Sequence, residues 1–577
     1  MRVLALFALT ALGASCRRVS APSASASATG SMRNATTTPA ITAADLRERA
    51  FRITDDSTMG RETGSKGAFS VTSYIADEFK RMGLEPGGEN GGWFQVVPMW
   101  TLAIDRTSVL STGGTSLALY KDFAPATSLG PSVVLNGTPL VFAGSMRDTS
   151  QWVAPASVAG KVVLIDVPVA SNANGAGANA AGGNAVAFRV AGALSGRYRS
   201  AVAIVVAALE DVPAEQFARL REGRPVPDTS TARVVPVVWV TRTAARTMLG
   251  GDAAQMTPGS NGRPLTGTIG FARNPVAYPA RNVVGILRGS DATLRTQYLT
   301  LTAHNDHVGF DHAPVDHDSL RAFNTVVRPM GADSPVRVPS AAEWQRIRLI
   351  LDSLRKVNRP RLDSIRNGAD DDGSGTASIL EIAEAMALGG ARPRRSVIFV
   401  SHTGEEAGLL GSRWFGDHAP VPVDSIVAEI DQDMVGRGTS SDFPRNGTGA
   451  GSDQYLEVIG AKRISRAFGE YLERANALQP IPFVFDYTYD APGHPLQYYC
   501  RADHYNYARH GIPAVAFSRG EHQDYHQVTD EAQYMSYRDM QRVSKMVFDA
   551  AMLIGNAPQR PLRDVPRPTD PNAPCRQ

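Results

Sequence analysis

Three short clusters of histidine and acidic residues each follow an apolar run. Tyr298 to Ala303 leads into His304-Asn305-Asp306-His307, and Ser396 to Ser401 leads into His402-Thr403-Gly404-Glu405-Glu406. Ile426 to Ile430 leads into Asp431-Gln432-Asp433. A fourth cluster, from His522 through Asp524 and His526 to Asp530, follows the apolar run around Val515. Gly368-Ala369-Asp370-Asp371-Asp372-Gly373-Ser374-Gly375 adds three consecutive acids, which are costly to bury unless a cation neutralises them. Cysteine supplies no ligands here: Cys16, Cys500 and Cys575 form no CxxC pair, so any metal is held by His and carboxylate. Nitrogen and oxygen donors of this kind suit zinc, with some tolerance for cobalt or manganese. Two His and three carboxylates exceed the three protein ligands of a single catalytic zinc; two metals sharing one carboxylate account for all five.

Such residues need a scaffold that delivers them to one place. After about residue 275 strand-like runs alternate with helix-like ones, the pattern of an α/β domain with a mostly parallel central sheet flanked by helices. Open α/β sheets bind ligands at the carboxyl ends of their strands, which is where all four clusters fall. Ser374 is a candidate cap for the helix through Ile379, Leu380, Ile382 and Ala383. Gly373 and Gly375 do not make a phosphate loop, because no Gly-Lys-Ser/Thr follows.

The ordered motifs resemble the co-catalytic zinc aminopeptidase family, which also includes glutamate carboxypeptidases and transferrin-receptor-like proteins. The resemblance rests on His304-x-Asp306, the Asp370-Asp371-Asp372 segment, Glu405-Glu406-x-Gly-Leu-x-Gly-Ser412, Asp433-Met434 and His526-x-x-x-Asp530, and it spans roughly 275 to 550. It implies a zinc exopeptidase fold with two Zn2+ ions and peptide substrates. His304 and Asp433 would hold one ion, Glu406 and His526 the other, and Asp371 would bridge them. Asp306 would orient His304. Glu405 would be the general base, and Tyr499 would donate to the tetrahedral oxyanion, with Tyr498 adjacent. Aminopeptidase is the expected activity. A glutamate-carboxypeptidase-like enzyme would need cations such as Arg501 or Arg519 to hold a substrate carboxylate. A non-catalytic binding protein on the same fold is opposed by intact Glu405 and five intact ligands. A glutaminyl-cyclase-like enzyme would use one zinc.

The remaining histidines have plainer readings. His402 is expected to pack or hydrogen-bond beside Glu405, and His522 competes with His526. His504 and Asp503 read as a structural pair. His307, Asp311, His312, Asp316, His317 and Asp318 form either a third metal site or a polar loop.

At 577 residues the chain is too long for one core. A net charge of +3 with no basic run gives no reason to expect nucleic acid. Met1-Arg2, the apolar run Val3 to Leu12 and the small residues before Cys16 read as an export signal over 1–15. Cys16 is a candidate lipid anchor, although Gly13 stands where such signals usually carry Leu. The destination is the periplasm, the cell envelope or the medium. No later stretch reaches about 18 apolar residues, so no transmembrane helix is expected. Residues 16–40 read as a flexible tether and 41–129 as the first part of the peptidase domain, with Thr42 capping its first helix and a helix near 67–84. Residues 130–272 are β-rich, hold no cluster of ligands, and resemble an inserted protease-associated domain; a Gly/Ala/Asn-rich loop, Ser171 to Asn184, lies within them. The catalytic domain follows over 273–557. Its segment 311–366 reads as an insertion carrying the amphipathic helix Glu343 to Leu354, which would wall the cleft or decorate the surface. The tail 558–577 reads as disordered, against which Cys500 and Cys575 are a candidate disulfide.

Overall fold

Four of the apolar runs form the parallel centre of one sheet. Tyr298–His304 lies between Ser396–His402 and Ile426–Gln432, and Ile426–Gln432 pairs on its other side with Ala514–Ser518. Antiparallel strands flank this centre: Arg281–Leu287 beside Ser396–His402, and Tyr455–Ile459 beside Ala514–Ser518. The computed structural model describes residues 36–577 apart from 127–131, 169–193, 213, 228–234, 336, 391, 439–441 and 443–451. The expected export signal, Cys16 and the loop Ser171 to Asn184 lie outside the described residues.

Every residue of Tyr298–His304, Ser396–His402 and Ile426–Gln432 is buried. Strands covered on both faces have no solvent side, so apolar residues point to both faces rather than alternating with exposed polar ones. Val397 and Phe399 enter one core with Leu299 and Leu301, while Ile398 and Val400 enter the other with Phe415 and Tyr507. The register sets His304 beside His402.

Helix Gly373–Leu388 packs on the sheet between helices Ala43–Ile53 and Tyr537–Asn556. Its cap is Asp372 rather than Ser374. The helix starts at Gly373, so the Asp372 carboxylate reaches the free Gly375 N–H at 2.7 Å, while the Ser374 hydroxyl donates to the Asp370 carbonyl at 2.8 Å. Thr42 caps Ala43–Ile53 through the Asp45 N–H at 3.0 Å. The fully buried Arg49 guanidinium joins three helices: it meets Glu78 and Glu381 at 2.7 Å each, and Glu384 as well.

Between Met99 and Pro275 the chain forms separate sheets. Leu140–Ser145, Val162–Asp166, Ala203–Ala207 and Val237–Val240 run parallel in one, closed by antiparallel Phe123–Pro125. Met99–Ile104 and Val109–Thr112 contribute to two smaller sheets, so strands before residue 130 share in this β-rich part. Its cores are its own, one around Trp239 and another around Phe142 and Leu164.

Within 311–366, helices His317–Val327 and Ala341–Val357 pack on each other around Ala322, Val327 and Ile347. A capping box of Ser340 and Glu343 starts the second helix. Arg321 reaches Asp524 at 2.7 Å, and the Ala332 N–H donates to the Tyr525 carbonyl at 3.1 Å. The segment therefore braces the loop that carries His526.

The tail corrects the expectation of disorder. Cys575 is bonded to Cys500, with Cα atoms 5.8 Å apart. Arg560 donates to the Ile426 carbonyl at 3.0 Å, and Gln577 to the Tyr489 carbonyl at 2.9 Å. Proline works against regular structure in this stretch, but arginine side chains still fasten it to backbone carbonyls.

Candidate metal centre

The strand ends and the triplet converge. His304 is the last residue of its strand, and its Nε2 lies 3.2 Å from Asp371 Oδ1 and 3.6 Å from Asp433 Oδ1. Its Nδ1 lies 3.1 Å from the Asp306 carbonyl oxygen. A carbonyl only accepts, so Nδ1 carries the proton and Nε2 presents a lone pair to the two carboxylates. Beside this group, His526 Nε2 lies 2.9 Å from Asp371 Oδ2 and 3.1 Å from Glu406 Oε2. His307 Nδ1 joins the second group, 2.8 Å from Glu406 Oε1 and 3.6 Å from Asp371 Oδ2. Within each group the ligand atoms lie within 4.8 Å of one another, and Asp371 belongs to both.

These atoms fit a cation better than they fit each other. His304 Nε2, His307 Nδ1, Asp371 Oδ2, Glu406 Oε1 and Asp433 Oδ1 are buried and make no hydrogen bond despite their close approach. Buried polar atoms without partners cost about 1–3 kcal/mol each, more when charged. The donor set is His and carboxylate, which suits zinc. Burial raises the Asp371 and Glu406 carboxyls, but the histidines outweigh it. Asp371 lies well below the usual carboxylate range, and Glu406 falls to about 2. Burial pushes Glu405 well above its usual value; His304 opposes this, and Glu406, Asp433 and Asp503 add to it.

The supports divide the work of the triplet. Asp530 accepts the N–H groups of Asp370 at 3.1 Å and Asp371 at 3.2 Å. Asp370 accepts the Gly436 N–H at 2.6 Å, and its other oxygen lies 3.2 Å from His522 Nε2. Asp372 caps the helix and accepts the His304 N–H at 3.0 Å. Only Asp371 enters the two groups. Gly368, at φ 55°, lets the chain pass the His307 ring; a Cβ there would lie 2.4 Å from its Cγ.

Several sequence expectations shift in detail. Asp306 orients His304 through its carbonyl; its carboxylate, 3.8 Å from His304 Nδ1, instead accepts the Glu405 N–H at 3.2 Å and the Thr63 hydroxyl at 2.7 Å. Tyr499 is not in the cavity. It packs edge-on to His504 with the Arg463 guanidinium 3.8 Å from its ring centre, and Tyr498 lines the cavity instead. Both lie in the 3-10 turn Tyr498–Cys500, where neighbouring side chains diverge by about 120°. His402 bonds the Tyr507 hydroxyl at 3.0 Å, and burial lowers it to about 3. His317, Asp363 and Glu531 cluster as well, but Arg361 pairs with both carboxylates and already supplies the cation.

Two further residues, His307 and Arg61, help to build the site although no sequence motif assigns them to it. The fully buried Arg61 guanidinium donates to the carbonyls of Asn305 at 3.0 Å, Gly368 at 2.9 Å, and Asn367. It ties the loop after His304 to the loop before Asp371. No motif surrounds it, so nothing in the chain marked it.

A cavity opens beside the paired groups; Asp371, Glu405, Asp433 and His526 line it, and so do Glu457, Tyr498 and Glu521. No described residue of 311–366 lines it, but Asp333 holds the lining residue Arg501 at 2.7 Å.

Residues 282–551 match Peptidase family M28. The chain is 28% identical over 225 residues to a probable zinc metalloprotease of Pyricularia oryzae, covering 33% of this chain and 43% of that protein. It is 31% identical over 195 residues to leucine aminopeptidase 1 of Ajellomyces dermatitidis, covering 32% and 46%. The chain thus spans less than half the length of these curated relatives. An aminopeptidase from Aneurinibacillus sp. strain AM-1 aligns at TM-score 0.47 and 15% identity, covering 91% of this chain and 96% of that one. BSAP, a zinc aminopeptidase from Bacillus subtilis, aligns at TM-score 0.48 and 16% identity, covering 91% and 98%. The α/β segment that carries the paired groups is thus the part of the chain that matches Peptidase family M28, in keeping with the resemblance of its motifs to the co-catalytic zinc aminopeptidases.

Proposed function

We propose that this chain is an exported two-zinc aminopeptidase that removes N-terminal residues from peptides. The observation that carries this reading is Asp371, whose two oxygens face two separate groups of ligand atoms, with Glu405 on the same cavity. His304, Asp371 and Asp433 would hold one ion, and Asp371, Glu406, His526 and His307 the other. When bound, the two ions supply Lewis acidity toward the scissile carbonyl and lower the pKa of a water between them. Glu405 takes the proton of the attacking water at its carboxylate and returns it to the departing amine. Its N–H bond to Asp306 fixes the loop from which it acts.

The arginines that a carboxypeptidase would need are already engaged. Arg519 is fully buried and donates to the Arg437 and Gly438 carbonyls, and Arg501 is held by Asp333. Export is supported by the Cys500–Cys575 disulfide, which suits an oxidising compartment. The β-rich segment is read as a protease-associated domain. The test is hydrolysis of free and N-blocked peptides with and without chelator. Cleavage of free N-termini alone, lost on chelation and restored by zinc, is expected; cleavage of blocked peptides or insensitivity to chelation overturns the reading.

A further inference from the structure

The cavity beside the paired groups is built for more than an apolar side chain. Its walls include Met434, Ile459, Ala502 and Ala516, but two carboxylates face the same space. Glu521 has a side chain only 8% exposed, and its Oε2 makes no hydrogen bond. Glu457 is 4% exposed. It accepts the Tyr455 hydroxyl at 2.9 Å, but that hydroxyl also reaches Asp486 at 3.0 Å and has one proton to give. The lining cation, Arg501, is 2.7 Å from Asp333 and 3.9 Å from Glu521, so its charge is spent mainly outside the cavity. Buried carboxylates without a close cation are costly, and a cation arriving with the substrate removes that cost.

We propose, resting on the aminopeptidase reading, that this cavity receives the side chain of the substrate's N-terminal residue and that Glu457 and Glu521 select arginine or lysine there. The chemistry matches part by part. The methylene stem of such a residue lies along Ile459 and Ala516, as long basic side chains do on apolar surfaces, and its charged head meets the two carboxylates. A leucine side chain fills the same walls but brings no cation to either carboxylate. Burial pushes Glu457 up to about 8, with Glu521 and Asp486 adding to it, and pushes Glu521 to about 7, with Asp333 adding to it, the state a cation would reverse.

The experiment compares kcat/KM of the zinc-loaded full chain on arginine, lysine, methionine and leucine p-nitroanilides. Arginine and lysine should exceed leucine by about 30-fold or more. Glu457→Gln and Glu521→Gln should each cut the arginine-to-leucine ratio by about tenfold. A ratio taken within one preparation is unaffected by partial unfolding of a variant. Leucine equal to or better than arginine overturns the proposal, as does a ratio unchanged in both variants. If no free-amine anilide is cleaved, the aminopeptidase reading itself fails. Calorimetry of the zinc-loaded protein with L-arginine and L-norleucine then decides the pocket separately: about tenfold tighter arginine supports it, and equal affinity overturns it.

Discussion

His307 Nδ1 stands 2.8 Å from Glu406 Oε1, yet neither atom makes a hydrogen bond. Two buried donor atoms held this close without a shared proton are arranged around something else. With Asp371 and His526, His307 gives the second group four protein ligands against three in the first. Replacing His307 with alanine should weaken one of two zinc ions by about 10–100-fold and leave the other in place. Metal content after dialysis against graded chelator, or the absorption of the cobalt-substituted protein, reads this. Two ions held with unchanged affinity contradict it.

The pocket carboxylates predict a pH-dependent selectivity. Glu457 faces Tyr455, Glu521, Asp486 and Tyr489, and Glu521 faces Tyr498, Asp333 and Arg501. Burial raises both, Glu457 to about 8 and Glu521 to about 7. They lose their protons as pH rises through that range, and only the ionised forms attract a cation. The arginine-to-leucine ratio of kcat/KM should therefore climb several-fold from about pH 6 to about pH 8.5. Dividing the two rates cancels the titration of the shared N-terminal amine and of the metal centre. A flat ratio contradicts the assignment.

Far from the site, Arg49 holds Glu78, Glu381 and Glu384 at the junction of three helices. Arg49→Met keeps most of the volume but leaves three buried carboxylates without that cation; Arg81 reaches only Glu78 and Glu384. Removing one partner of a buried ionic cluster costs about 3–5 kcal/mol. Urea unfolding of the variant and the parent measures it, and a difference below about 1 kcal/mol contradicts a structural role for the cluster.

The legible part of this molecule is the part where residue type and strand end coincide. His304, Glu405, Glu406 and Asp433 end or follow strands rich in apolar residues on both faces, as buried parallel strands are because both faces are covered. Asp371 stood out because three adjacent acids need a reason. His307 was harder, since the strand stops at His304 and alternation no longer says where a side chain points. Tyr498 and Tyr499 differ only by position in a tight turn, a direction that sequence does not encode. Arg61 acts through backbone carbonyls of loops some 240 to 300 residues away, so no local pattern marks it. The strands between Met99 and Pro125 are three to six residues long, too short for periodicity to register. The tail has the composition of a disordered segment, and its order comes from Cys575 and from side chains bound to distant carbonyls.

The central proposal is that Glu405 moves the proton at a centre where Asp371 would serve two zinc ions. The direct measurement is turnover and zinc content of Glu405→Gln in the same preparation. Two zinc ions per chain with turnover on a free-amine peptide reduced by about 10³-fold or more is the predicted result. Near-normal turnover, or loss of zinc along with activity, contradicts it.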